Sequence, residues 1–318
     1  MGRLPLLLAL LVLAGCGGAA REQAPAGDAD AAGAPDLGGP PPPSLTHGWK
    51  TDFSQHSVPF SEIQSGGPPK DGIPPIDAPR FLPVGEVDFL EPREPVIEVE
   101  VGGVARAYPI QILMWHEIVN DEIAGVPVSV TFCPLCNTAI VFDRRLEGGV
   151  LDFGTTGNLR HSDLVMYDRQ TESWWQQFGG EGIVGQHTGR RLERVPARIV
   201  AWEEFRDNFP DGEVLSRETG HRRDYGRNPY VGYDDVDRPP FFPVPNADDD
   251  RLPPKERVVF LERGDEAVAV PYSVLRERGT VELELAGSTL EVRWREGVAS
   301  PLSGGGIAEG RDVGAAEV

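Results

Sequence analysis

An internal repeat constrains the fold of this chain more than any other sequence feature. Residues 96–131 align without a gap onto residues 258–293 at a constant offset of 162, with 12 identities in 36 positions. Identical residues stand where the structure must turn: Gly102/Gly264, Ala107/Ala269, Pro109/Pro271, Leu113/Leu275 and Gly125/Gly287. Each copy predicts two strands, a helix that starts at proline and a closing hairpin. We expect an α+β fold, mainly β, in which a single β-rich domain contains a duplicated β-β-α-β-β unit.

The two copies differ in the residues that carry chemistry. Residues 114–117 of the first copy are Met-Trp-His-Glu, whereas residues 276–279 of the second are Arg-Glu-Arg-Gly, and Cys133 corresponds to Arg295. We therefore expect the first copy to be specialised and the second to be structural. His116 is a candidate partner for the cysteines because its helix must pack against their strand. The alternative is that His116 is a core residue bonded to a carbonyl group.

Cys133 and Cys136 are the centre of any chemical interpretation. Residues 128–143 predict a strand, a tight turn that carries both thiols, and a second strand. The apolar, β-branched residues after Cys136 leave no place for the helix that lowers the thiol pKa in thioredoxin-like proteins. A C-P-x-C turn between two strands is more similar to a metal knuckle. In an oxidising compartment the same pair could also form a disulfide.

Two thiols alone do not complete a metal site, since tetrahedral zinc takes four ligands. We expect His116 to be the third ligand, and His161, Asp163 and Met114 are candidates for the fourth. A Cys, Cys, His set with a possible Met also suits copper. The cofactor is therefore undetermined, with zinc and copper as the two candidates.

A polar stretch follows between the copies. Residues 160–177 combine many hydrogen-bonding side chains with Met, Tyr and two Trp. This pattern is typical of a pocket wall and equally of a buried network that holds irregular backbone. The candidate pocket residues are Trp115, Arg160, Asp163, Asp168, Trp175 and Gln176.

The first residues predict export. An apolar run from Leu4 to Leu13 leads into Ala14-Gly15-Cys16, and the run is too short to span a bilayer as a helix. The L-A-G-C motif resembles a bacterial lipoprotein signal. That resemblance implies cleavage before Cys16 and lipidation of its thiol, which would anchor the protein to a membrane. An ordinary secretory signal with an incidental cysteine is the alternative.

Composition divides the chain into four predicted segments. Residues 1–15 are the signal peptide, and residues 16–45 form a lipidated, disordered tether rich in Ala, Gly and Pro. Residues 46–298 form the folded domain, and residues 299–318 are a disordered tail. The 30 Pro and 38 Gly residues of the whole chain favour a loop-rich, mainly β structure.

The charge of the chain limits its partners. A formal net charge of −20 argues against nucleic acid or an anionic lipid surface, because such partners require basic patches. A membrane reached through the lipid on Cys16 is the expected partner, and any protein partner is undetermined. Gly17 after the lipidated cysteine resembles outer-membrane sorting. We therefore expect a lipid-anchored protein of the cell envelope, at the outer membrane or the periplasmic face if the source has two membranes.

Six separated motifs in order resemble one known family. They are SGGPPKDGIPPID, ARAYPIQIL, WHEIVND, CPLCNTAIVFDR, SDLVMYDRQTESWWQQ and RDYGRNPY. These stretches are similar to the family catalogued as domain of unknown function 3179, found in bacterial and archaeal envelope or secreted proteins. The resemblance covers about residues 65–294. It marks Cys133, Cys136, His116, Asp163 and Asp168 as motif positions and implies no role for them.

Three functions are compatible with these patterns. The first is metal binding or metal handling through Cys133, Cys136 and His116. The second is thiol-disulfide exchange by the cysteine pair, with both cysteines as catalytic residues. The third is a structural or interaction module in which a disulfide only staples a hairpin. Hydrolysis is not predicted, since the sequence has no G-x-S-x-G, H-E-x-x-H or phosphate-binding glycine motif.

Overall fold

Strands outnumber helices in the described part of the chain, as the repeat predicts. A computed structural model describes residues 37–318. The predicted signal peptide, the lipidated Cys16 and the first part of the predicted tether lie outside the described residues. Within residues 37–318, four short α-helices accompany 21 strands in several sheets. The predicted α+β class, mainly β, is confirmed.

The elements are numbered in chain order. The strands are β1 (Ile63–Ser65), β2 (Phe81–Pro83), β3 (Pro95–Val101), β4 (Val104–Pro109), β5 (Ile118–Ile123), β6 (Val126–Cys133), β7 (Thr138–Asp143), β8 (Arg145–Leu146), β9 (Gly149–Val150), β10 (Phe153–Arg160), β11 (Asp163–Asp168), β12 (Trp174–Gln176), β13 (Glu181–Val184), β14 (Arg194–Val195), β15 (Ala197–Ala201), β16 (Glu213–Leu215), β17 (Val258–Arg263), β18 (Glu266–Pro271), β19 (Thr280–Leu285), β20 (Ser288–Arg295) and β21 (Ala315–Glu317). The helices are α1 (Pro43–Thr46), α2 (Ile110–His116), α3 (Trp202–Asn208) and α4 (Tyr272–Arg278). In the part of the chain that the structure describes, no helix has the length and apolar character needed to cross a membrane.

The duplicated unit occurs at both predicted places. The first copy is β3-β4-α2-β5-β6 and the second is β17-β18-α4-β19-β20. Strand registers agree as well, because Val96 pairs with Pro109 in the first copy and Val258 pairs with Pro271 in the second. The repeat found in the sequence is therefore a repeat of backbone structure down to single residue pairs.

The same two signals begin and end the helix in each copy. Pro109 and Pro271 precede the helices with φ of −60° and −65°, the value that the proline ring imposes. After the last turn, Glu117 and Gly279 have φ of 58° and 74°. Each donates its backbone N–H to a leucine carbonyl one turn back, at 2.7 Å. This left-handed residue turns the chain directly into the next strand.

Further strands join the first copy to the rest of the protein. One five-stranded sheet has the order β15-β3-β4-β16-β2, and a four-stranded sheet has the order β14-β7-β6-β5. A second five-stranded sheet, β1-β10-β11-β12-β13, contains the polar stretch between the copies. The second copy forms only the pair β17-β18 and the sheet β19-β20-β21. The first copy is therefore the structural centre.

Burial follows this difference. Ile97, Ile110 and Leu113 of the first copy are fully buried in the main apolar cluster. The second copy packs a smaller cluster around the buried Leu275. Its edge leaves Phe260 39% exposed.

Two buried amide side chains join the four-stranded sheet to the β10–β13 sheet. Asn120 on β5 donates to the Phe153 carbonyl oxygen at 2.8 Å and accepts from the Phe153 N–H at 3.0 Å. Gln177, just after β12, donates to Thr131 Oγ1 on β6 at 2.9 Å. Both amides are more than nine-tenths buried. Loss of either contact would therefore leave buried polar groups without a hydrogen-bond partner.

Two predicted boundaries differ from the structure. The predicted disordered tail, residues 299–318, is ordered instead: Leu302 and Ile307 belong to the main cluster, and β21 pairs with β20. In the sequence these two apolar residues stand among glycine and charged residues, so no pattern predicts their burial. At the other end, Leu45 is buried within an aromatic cluster, so order begins before the predicted domain start at residue 46.

The packed C-terminal segment predicts a stability effect. Ile307→Ala should lower the free energy of unfolding by about 2–5 kcal/mol, because the substitution empties a fully buried position. Val318→Ala is the matched control at an exposed position and should change it by less than about 0.5 kcal/mol. Urea denaturation measures both. Equal, small effects would show that the segment does not contribute to the core.

Candidate metal centre

Two hairpin tips from different sheets meet at the cysteines. Cys133 is the last residue of β6, and Cys136 lies in the turn that leads to β7. The second tip is the two-residue turn between β10 and β11, where His161 and Ser162 have φ of 55° and 62°. Such a turn matches the twist of the flanking strands and places Asp163 at the start of β11. Neither sheet alone contains the whole site.

Three side chains come together between the tips. Cys133 Sγ, Cys136 Sγ and a carboxylate oxygen of Asp163 lie within 4.8 Å of one another. Cys136 Sγ is 3.1 Å from Asp163 Oδ1. The ligand atoms of one zinc ion are separated by about 3–4 Å, so a small contraction would bring all three onto one ion. Cys133 and Asp163 are buried, and Cys136 is half-buried.

The Asp163 carboxylate is held by groups of its own sheet. Its Oδ2 accepts from Gln176 Nε2 at 2.5 Å and from the Phe178 N–H at 2.9 Å. Gln176 in turn accepts a hydrogen bond from Arg160 at 3.1 Å. These bonds leave Oδ1 facing Cys136. Outer contacts of this kind orient a ligand before any ion arrives.

The side chains of Cys133, Cys136 and Asp163 are three acidic groups that lie close together. Burial raises the pKa of the Cys136 thiol well above its usual range, and the Cys133 thiol and the Asp163 carboxyl raise it further. Burial also raises the pKa of Asp163, although hydrogen bonds from Phe178 and Gln176 oppose this shift. Within residues 37–318, no Lys, Arg or His side chain forms an ion pair with these three groups. A positive ion would supply the missing charge.

Glu117 adds a fourth acid to this region. The side chain is 7% exposed, and among the described residues its carboxyl forms no hydrogen bond or ion pair. Burial, together with the charge of Asp163, raises the pKa of Glu117 to about 8. Tyr230 lies near both Glu117 and Cys133, and burial followed by these two groups raises the pKa of its hydroxyl.

A long loop, residues 217–257, covers the site. Ser162 Oγ donates to the Phe242 carbonyl oxygen at 3.1 Å, which fastens the loop to the β10–β11 turn. Tyr233 is buried in the main cluster. Burial raises the pKa of its hydroxyl, a hydrogen bond from the Phe241 N–H opposes this shift, and Cys133 and Cys136 raise the pKa further. The thiols are thus enclosed by aromatic side chains, with Cys136 as the more accessible one.

Comparison with known families agrees with the sequence motifs. The family model described as Protein of unknown function (DUF3179) matches residues 70–318, most of the chain. The chain belongs to this family. The match extends beyond the six motifs to the C-terminus, in agreement with the ordered C-terminal segment. No curated protein and no solved structure matches the chain.

His116 lies in the DUF3179 match but does not join the thiols. Its Nδ1 is 2.7 Å from the Pro74 carbonyl oxygen and its Nε2 is 2.7 Å from the Tyr225 hydroxyl. A carbonyl partner requires Nδ1 to carry the proton, so Nε2 accepts from Tyr225. Both ring nitrogens are therefore occupied. The expected third ligand is instead the carbonyl-bonded core histidine that the sequence left as the alternative.

The other two candidate ligands also lie elsewhere. His161 Nε2 is 3.3 Å from a carboxylate oxygen of Glu62, because its left-handed backbone turns the ring toward β1. Met114 is buried in the main apolar cluster, whereas Cys133 belongs to a different cluster. Asp163 is the one candidate from this set that the structure brings to the cysteines.

The predicted pocket residues divide into two groups. Gln176 and Arg160 support Asp163, as described above. Asp168 and Trp175 belong to the opposite end of β11, where Trp175 Nε1 donates to Asp168 at 2.9 Å and the Asp168 carboxylate also caps the turn at Thr171. Trp115 packs against the main cluster. These last three side chains are structural, so the polar stretch is in part a buried network.

Sequence reasoning missed Glu117, although a signal was present. The repeat places Glu117 opposite Gly279, a position where the backbone turns left-handed. Glutamate is unusual in that conformation, and glycine is the ordinary choice. The replacement of that glycine by an acid, in the copy that also carries the cysteines, is the signal that the sequence offered.

The environment of His116 predicts a pH dependence. Burial lowers the pKa of His116 to about 4, from an ordinary value of about 6.5. Between these values the unfolded chain binds a proton that the folded His116 does not, so the contribution of His116 to stability falls as the pH falls from about 6.5 toward 4. The raised pKa of Glu117 makes a contribution of opposite sign in this window. The loss from His116 should reach up to about 3 kcal/mol.

Denaturation at a series of pH values checks this expectation. The difference in unfolding free energy between wild-type protein and His116→Gln isolates His116, because Glu117 contributes equally to both, and this difference should change by up to about 3 kcal/mol across the window. The imidazole signal of His116 in wild-type protein should keep its neutral chemical shift down to about pH 4 in NMR titration. A signal that titrates near pH 6.5 would contradict the assignment.

Proposed function

We propose that this protein binds a divalent metal ion through Cys133, Cys136 and Asp163. The observation that carries the proposal is the convergence of two thiols and one carboxylate within 4.8 Å at the contact of two sheets. A buried group of acids without a cation is costly. Metal binding removes the thiol protons and compensates the resulting charge, so it relieves this cost.

The surroundings of the cysteines favour metal binding over thiol-disulfide catalysis. A redox-active thiol needs a low pKa from a helix N-terminus or a nearby cation. Here β7 follows the cysteines, and burial and neighbouring acids raise the pKa of Cys136. A metal ion reverses this electrostatic balance because a coordinated thiol loses its proton.

The donor set favours zinc among the candidate metals. Zinc accepts thiolate and carboxylate ligands together, in tetrahedral geometry. Copper(I) prefers soft ligands, and the third group beside the two thiols is the carboxylate of Asp163 rather than a methionine or histidine side chain, which supports zinc over copper. We therefore propose zinc as the bound ion.

Elemental analysis and thiol titration test the proposed site. Protein purified without chelator should contain about one zinc per chain, with Cys133 and Cys136 protected from thiol reagents. Cys133→Ser should lose the metal. Chains with no metal and no free thiol at these positions would contain a disulfide, and metal binding would then be rejected in favour of a redox or stapling role.

Two aspartates on one strand provide a matched control. Asp163 and Asp168 stand at the two ends of β11, and both are buried. Asp163→Asn should lower zinc affinity by at least about tenfold, measured by chelator competition. Asp168→Asn should lower stability and keep the zinc affinity. Equal metal affinities in the two variants would argue against Asp163 as a ligand.

We also propose that the protein is lipid-anchored in the cell envelope through Cys16. The support is the L-A-G-C signal in the sequence. Metabolic labelling with a radioactive fatty acid should mark the wild-type protein and not Cys16→Ser, which should also leave the membrane fraction. Unlabelled wild-type protein released in soluble form would reject the anchor.

A further inference from the structure

Glu117 is a buried acid that the fold does not explain. The side chain is more than nine-tenths buried, and within residues 37–318 no side chain or backbone group is hydrogen-bonded to its carboxyl. A buried carboxyl without a partner is destabilising by several kcal/mol if it ionises. Proteins keep such groups where a ligand completes them.

The second copy of the repeat shows that the fold does not need this acid. Gly279 occupies the same position with the same left-handed backbone. The carbonyl oxygens of Glu117 and Gly279 both accept from the following strand, from Phe132 and Trp294 at 2.8 Å. Glycine therefore performs the whole backbone role. Beyond this backbone role, glutamate contributes a carboxyl group that the second copy lacks.

Glu117 adjoins the strand of the cysteines, because its backbone carbonyl oxygen accepts from the N–H of Phe132, the residue before Cys133, at 2.8 Å. Asp163 is the charged group that acts on its carboxyl, and Tyr230 lies close to both Glu117 and Cys133. The group of atoms within 4.8 Å of one another contains Cys133, Cys136 and Asp163, without Glu117. Three protein ligands leave one position of a tetrahedral ion open, as in catalytic rather than structural zinc sites.

We propose that Glu117 accepts the proton of a small protic ligand that binds at the open position of the metal, an inference that rests on the proposed metal site. Water is the simplest such ligand. With an ion held by Cys133, Cys136 and Asp163, one O–H bond of the water would break, the proton would pass to a Glu117 carboxylate oxygen, and the electron pair would stay on the water oxygen. No electron is transferred. The centre is thus of the type that activates water or another O–H ligand.

The enclosure of the site limits the size of that ligand. Tyr233 and Asp163 are buried, and Cys136 is the partly exposed ligand, so entry is along the Cys136 side. Small molecules with an acidic O–H fit this description. Acetohydroxamic acid is a suitable probe because it binds a metal through oxygen and gives its proton to a neighbouring base. Azide is the contrasting probe, since it is a small anion with no proton to give.

Cobalt-loaded protein provides the test. Co²⁺ replaces zinc, and its visible absorption reports both metal binding and added ligands. Titrations with acetohydroxamic acid and with azide are run at a pH above the Glu117 pKa of about 8, so that its carboxyl is ionised. They are compared in wild-type protein, Glu117→Gln and Glu117→Gly, the last of which reproduces the second copy. We expect Glu117→Gln to keep the Co²⁺ affinity within about threefold and to weaken acetohydroxamate binding by at least about tenfold. Azide binding should be unchanged or tighter, since a negative charge beside the anion is removed.

Each other result rejects a specific part of the argument. Loss of Co²⁺ affinity in Glu117→Gln as large as in Asp163→Asn would make Glu117 a metal ligand and overturn the inference. Unchanged affinities for both probes would also overturn it and leave the metal site intact. Wild-type protein that binds no Co²⁺ would reject the metal site and this inference with it. Glu117→Gly should fold, because its duplicate does, and should match Glu117→Gln in probe binding.

Discussion

The contact between two sheets determines most of what this protein can do. Asn120 and Gln177 hold the four-stranded sheet against the β10–β13 sheet through buried hydrogen bonds. The two inter-sheet bonds exist only while the sheets stay together, so each stabilises the same arrangement. The thiols come from one sheet and Asp163 from the other. Any change in the docking of the sheets would therefore separate the metal ligands.

The acidic side chains at the contact between the two sheets determine its electrostatic properties. Cys133, Cys136, Asp163 and Glu117 are all acids in a region from which water is largely excluded. Arginine is present nearby but is turned away: Arg160 pairs with Glu62 and reaches Asp163 only through Gln176. Asp163 therefore has hydrogen-bond donors but, within residues 37–318, no positively charged side chain in an ion pair with it. This arrangement supports the proposal that the region binds a cation.

Local patterns were sufficient to predict much of the fold. Glycines and prolines at matching positions gave the two copies and their strand registers, because these residues act on the backbone directly. The hairpin of Cys133 and Cys136 was predictable for the same reason. The C-terminal segment was not, since Leu302 and Ile307 are two apolar residues in a glycine-rich stretch and their partners are distant in sequence. Burial of that kind leaves no periodic signal.

The site was predictable in its residues more than in its geometry. Asp163 was a candidate, but nothing in the spacing distinguished it from His116, His161 or Met114. The decisive feature is one backbone torsion. Because Glu117 is left-handed, the chain turns sharply after α2, so His116 faces Pro74 and Tyr225 while Glu117 lies beside Asp163. Which of two adjacent residues faces a site depends on such a torsion, which composition does not reveal.

The equivalence of Phe132 and Trp294 has a practical value of a different kind. Their backbone amides donate to Glu117 and Gly279 in the same geometry, in the same molecule and the same solvent. Hydrogen exchange at these two amides compares local opening in a copy that carries chemistry with local opening in one that does not. The protein thus contains its own internal standard for the energetic cost of function, and no second protein is needed for the comparison.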